Sequence, residues 1–198
     1  MEKEGRLKKS VLSEEFKRLF YLLLAEDFYV TTNEDSVIIK FQHELEAAKS
    51  YGEVWQIVKN TVETSVGKHR VGMMLFLDDL PLQLGAYHPV GTNNIVLNRS
   101  LVEVVEVSEK SKLVVNALVY NLLLHEYLHA LGDLSEEGVK REVIAVARRC
   151  FGSEHIATII AKKSPWSLLR NIPVTARNAP KRVMKIVTDF EQTDKYIV

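Results

Sequence analysis

Apolar residues recur at helical spacing near the start of the chain. Phe16, Leu19, Phe20 and Leu23 follow Ser13, a good N-cap residue, and predict a first amphipathic helix. Residues 28–32 and 37–41 are β-rich runs on either side of Asn33-Glu34-Asp35 and predict a hairpin. Leu45, Ala48, Trp55, Val58 and Val62 mark a second helix, weakened at Gly52. At Val71 the pattern changes. Residues 71–77 are apolar throughout, as expected of a strand covered on both faces. Residues 84–88 and 94–98 predict two short strands about the Gly-containing turn 89–93. Residues 112–131 form a run that is apolar nearly all round, which predicts a helix in the centre of the domain, closed by Gly132. A further amphipathic helix is predicted over 136–149, with Val139, Val143, Val146, Ala147 and Cys150 on one side, and a short helix begins near His155. Beyond Pro165 the pattern thins to one more apolar run, 183–187.

Strands mixed with helices predict an α+β fold, a small mixed sheet packed on a buried central helix with further helices around it. With 198 residues, 46% of them hydrophobic, and no linker-like stretch, one domain over 1–198 is expected. Its parts would be an N-terminal helix–hairpin–helix portion (1–70), a core (71–155) and a C-terminal extension (156–198). Lys plus Arg and Asp plus Glu number 26 each, so the chain lacks the basic surplus of a nucleic-acid binder. The single Cys150 excludes an internal disulfide and suits a reducing compartment. The N-terminal residues are charged and resemble no secretion signal, and the most apolar run, 113–124, is short and broken by Asn116 and Asn121. A cytoplasmic protein without a membrane partner is the expectation.

The chemistry is concentrated at the end of the central helix, which reads His125-Glu126-Tyr127-Leu128-His129. Residues four apart on a helix differ by about 40° in direction and about 6 Å in height, so both imidazoles point the same way and can share one metal ion. Glu126 sits beside them, placed to hydrogen-bond a water on that metal. Burying two imidazoles and a carboxylate without partners would be costly, and a metal resolves that cost. Tyr127 points away from both ligands, where packing is its default role. His88, at the end of the 84–88 strand, reads as a strand-end residue.

The sequence resembles the zincins, the superfamily of HExxH zinc peptidases, over about Val71 to His155. The likeness rests on His125-Glu126-x-x-His129 on a buried helix, preceded by a strand pair ending in Asn94-Ile95-Val96-Leu97-Asn98. It implies a zincin-like fold, one Zn²⁺ per chain, a peptide or protein substrate lying along the 84–98 segment, and Glu126 as general base. It also demands a third ligand. Gly132 matches the metzincin branch, but its ligand position here is Ser135, a poor donor to zinc. In the gluzincin branch the ligand is a Glu on the next helix, where Glu142 flanks the apolar face. Glu136 also flanks that face, though it and Glu137 follow Gly132 closely. His155 is preferred, because imidazole suits zinc without adding charge.

The function expected is therefore zinc-dependent peptide hydrolysis. Two rivals are a non-catalytic zinc-holding module and a metal-dependent endoribonuclease. The second resembles the string His-x-x-x-His-x-Leu-Gly but has Gly where this chain has Glu126 and His where it has Ser135.

Overall fold

A computed structural model describes residues 34–169 and 181–191. The first predicted helix and the 28–32 strand lie outside them. Contacts divide the chain into two compact units, 1–39 and 40–198. Of the first, residues 34–39 are described and are helical. The second is a mixed α+β unit, as the sequence pattern indicates.

The hairpin expected around residue 34 is not present at its second arm. Residues 34–47 are one helix, α1. Val37-Ile38-Ile39 has strand propensity, but Phe41, Leu45 and Ala48 bury themselves at helical spacing, and packing overrides local preference. The chain breaks at 48–50, so the second predicted helix splits. Ser50 caps α2 (Tyr51–Val66) by accepting the Glu53 N–H, while the Glu53 carboxylate accepts the Lys49 N–H. Gly52 is required there, because a Cβ would collide with the carbonyl of Asp189.

The sheet has four strands in the order β2-β3-β1-β4. β1 (Met74–Asp78) runs parallel to β3 (Asn94–Asn98); β2 (Ala86–Tyr87) and β4 (Lys185–Val187) pair antiparallel at the two edges. Along β1, Leu75 and Leu77 are buried but Met74 is 47% exposed, so burial alternates rather than covering both faces. Asn98, wholly buried, begins α3 (Arg99–Glu109) as its N-cap and pins the loop before β2: its Nδ2 donates to the carbonyls of Leu80, Pro81 and Leu84.

The central helix α4 (Lys112–Ala130) is buried almost all round, as its sequence demands. Its two buried asparagines act as ties. Asn116 donates to the carbonyls of Leu45, in α1, and Ala48, just after it, and Asn121 donates to Ala157 in α6 (Ile156–Lys163). Between them, α5 (Glu136–Phe151) packs Val139, Val143, Val146 and Cys150 inward. A 3₁₀ turn, Pro165–Leu169, follows, and the indole of Trp166 donates to the carbonyl of Leu82.

Candidate metal centre

α4 ends in a Schellman turn: the Asp133 N–H reaches the carbonyl of Leu128, the Gly132 N–H reaches that of His129, and Gly132 takes φ +105°. This reversal decides the site. It swings the carbonyl of Asp133 onto Nδ1 of His129 at 2.7 Å, so that Nδ1 carries the proton and Nε2 keeps its lone pair. It also starts α5 three residues later, with Ser135 as N-cap accepting the Gly138 N–H, so that the first residue of α5, Glu136, returns over the last turn of α4.

The outcome is a triad of donors. Nε2 of His125 and Nε2 of His129 are 3.2 Å apart, and each lies 3.3 Å from a different carboxylate oxygen of Glu136. Ligands about 2.0–2.1 Å from a tetrahedral zinc are separated by about 3.3–3.4 Å, so the three side chains already have the spacing that one ion needs. Among the described residues, His125, His129 and Glu136 are the group able to hold a metal ion. Burial is the main cause, with His129 next, of a depressed basicity at His125, which favours the neutral imidazole that binds metal.

Glu126 is not in the triad. Its side chain is 7% exposed, and burial pushes its carboxyl up to about 7. His129 opposes that shift, the Glu136 carboxylate adds to it, and the nearby backbone of His88 opposes it. A carboxyl poised near neutrality is suited to accept and release protons. His88 itself is anchored through Nδ1 to the carbonyl of Asn94, across the β2–β3 turn. Gly85, just before β2, lets this strand press against α4: a Cβ there would strike Leu122.

The cluster opens into a cavity of about 810 Å³ whose walls include Tyr87, His88, Leu122, His125, Glu126 and Trp166. The outer edge of β2 pairs with no strand among the described residues and lies along this cavity.

The structure brings together His125, Glu126 and His129 and adds Glu136. It does not bring His155 to them. His155 is the N-cap of α6: its Nδ1 accepts the Ala157 N–H and its ring stacks on Phe151 at 5.1 Å. The reason is distance along α5, whose 16 residues extend about 24 Å between Glu136 and the segment bearing His155. Glu142, further along α5, is also outside the group. Tyr127 is wholly buried, with its ring edge-on to Trp55 and its hydroxyl bonded to the backbone of Arg70. The signal for Glu136 was present in the sequence: Gly132 and Ser135, a C-cap and an N-cap three residues apart, specify a turn tight enough to fold the next residue back.

Comparison with protein-family models, with curated proteins and with solved structures returns no match for this chain. No helix among the described residues is long and apolar enough to cross a membrane.

Proposed function

We propose that the protein is a zinc-dependent peptidase of the zincin kind, with His125, His129 and Glu136 holding the ion and Glu126 as general base. The observation that carries this reading is the spacing of the three donor groups, 3.2–3.3 Å, next to a separate buried carboxyl that is near neutrality in its proton affinity. A zinc ion there would supply a water molecule acidified toward neutrality and a Lewis acid for a carbonyl oxygen. The chain's own groups supply the rest. The Asp133 carbonyl orients His129. Glu126 takes a proton from the attacking water and hands it to the departing amine nitrogen. The edge of β2 that pairs with no strand among the described residues offers backbone groups to an extended peptide, which would add to the sheet as a further strand beside the cluster.

The reading is tested on purified protein by elemental analysis and by hydrolysis of an unstructured protein, with and without chelator. About one zinc per chain and hydrolysis abolished by chelation support it. Zinc without hydrolysis of any peptide favours a non-catalytic zinc module, and cleavage of RNA in place of peptide favours a nuclease.

A further inference from the structure

One group on the wall of the cavity is unused by the chemistry above, and it is a cation. Arg70 precedes β1, is half-buried, and lines the cavity that holds the histidine pair. Its guanidinium is gripped by three acceptors. Nη1 donates to the carbonyl of Ala130 at 2.5 Å; Nη2 donates to the carbonyl of Thr92 at 3.1 Å and to Oδ1 of Asn93 at 2.5 Å. Ala130 is the last residue of α4, next to His129, while Thr92 and Asn93 belong to the turn after β2. The guanidinium therefore bridges the metal-site helix and the turn that follows the strand edge. Those bonds fix the planar fork and leave two of its five N–H groups, at Nε and Nη1, unused.

None of the three acceptors carries a charge. Lys59 and Arg99, also half-buried, each pair with a carboxylate, Glu191 and Asp79 respectively. Arg70 makes no such pair among the described residues. Two carboxylates of the cavity are directed elsewhere, Glu136 onto the imidazoles and Glu137 toward Arg141, and Glu126 makes no ion pair with Arg70. A rigid, partly desolvated guanidinium with spare donors and no counter-ion is a receptor for a carboxylate.

We propose that Arg70 recognises a carboxylate on the substrate peptide and thereby sets the specificity of the cleft. The carboxylate can come from a chain terminus or from an acidic side chain; the chemistry at the guanidinium is the same. This rests on the reading of the cavity as a peptide site, and on nothing about turnover.

The test uses four fluorescein-labelled short peptides of one sequence, with Glu or Gln at an internal position and a free or amidated C-terminus. Binding is read by anisotropy on zinc-loaded Glu126→Gln protein. A carboxylate-bearing form should bind about tenfold tighter than its neutral counterpart at low salt, the worth of one charge-assisted contact, and the gap should narrow as salt is added. Whichever pair shows the gap identifies the source. Arg70→Gln should bring the ratio to about one, and Arg70→Lys should keep part of it, with zinc content and melting temperature read alongside. Equal binding of all four, binding of none, or a preference that survives Arg70→Gln overturns the assignment.

Because Arg70→Gln also removes the bonds to Ala130 and the turn, a second measurement leaves the chain intact. In metal-free native protein the Arg70 Nε–H nuclear resonance should shift on titration with acetate and stay still with acetamide; a resonance unmoved by acetate overturns the proposal. Carboxylate preference without hydrolysis of any peptide would remove the peptidase reading and leave Arg70 in place. Hydrolysis without preference would do the reverse.

Discussion

Replacing Gly132 by Ala perturbs the site through the backbone alone. Gly132 has φ +105°, and a Cβ placed there would touch nothing within 4 Å, so no steric clash complicates the result. An L-residue held in left-handed backbone costs about 1–2 kcal/mol. For a chain of 150–250 residues each kcal/mol is about 2–4 °C of melting temperature, so the metal-free variant should melt about 2–8 °C lower. The turn also sets where Glu136 stands. Where the metal-free turn opens to escape that strain, less stability is lost, but binding zinc must close it again and affinity falls by about five- to thirtyfold. Gly67→Ala is the control. Gly67 ends α2 at φ +70°, also with nothing within 4 Å, so it should lose similar stability and keep its zinc affinity. Calorimetric titration with zinc and thermal unfolding with chelator measure both quantities. Gly132→Ala protein that melts like the native chain and binds zinc as tightly would refute the claim that this left-handed turn delivers the third ligand.

Glu136→Ala should weaken zinc binding by more than about 100-fold, beyond the usual effect of an outer-shell partner. His155→Ala should leave zinc affinity intact and cost about 0.5–2 kcal/mol of stability through the lost α6 cap; the opposite ranking in zinc titrations would make His155 the ligand. The contribution of Glu126 to the stability of the metal-free protein should fall as pH rises from about 4.5 to about 7, while the depressed basicity of His125 and His155 acts in the opposite direction over the same range. Glu126 stays protonated to about 7 in the folded state, whereas the unfolded chain has already released that proton, so the folded form binds more protons across this window. At 1.36 kcal/mol per pH unit the loss is about 3 kcal/mol at most. Urea unfolding at either end of the window should show the stability of native protein relative to Glu126→Gln protein falling as pH rises; a difference that stays constant or rises would contradict the assignment.

Much of the site could be read from the sequence because its signals are local. α4 is apolar all round and carries both histidines and Glu126 within five positions, so helix geometry alone puts them together. The ends of the 71–98 strands shifted by a few residues, and the 84–88 and 94–98 runs pair across their turn as read, but the parallel pairing of β1 with β3 and the strand order depend on contacts the local pattern does not carry. What was not legible depends on contacts distant in sequence. Val37-Ile38-Ile39 became helix because the buried stripe Phe41, Leu45 and Ala48 belongs to the same period. α3, with only Leu101, Val102 and Val105 buried, has too short an apolar stripe to stand out, and its N-cap Asn98 is recognisable only once the loop it pins is seen. Ligand chemistry favours His155 as a third donor, whereas turn geometry places Glu136 beside the histidines: three residues of reversal bring it back, and 16 residues of α5 separate it from His155.

The most direct test of the whole account is Glu126→Gln, with zinc content and peptide hydrolysis measured on the same preparation beside His129→Ala. The amide keeps the size and helix position of the carboxylate but cannot take up the proton. The account predicts about one zinc per chain retained and hydrolysis lowered by about 10²–10⁴, while His129→Ala loses metal and activity together. Zinc lost from Glu126→Gln would make Glu126 a ligand, and hydrolysis unchanged in that variant would mean that His125-Glu126-x-x-His129 is not the active site.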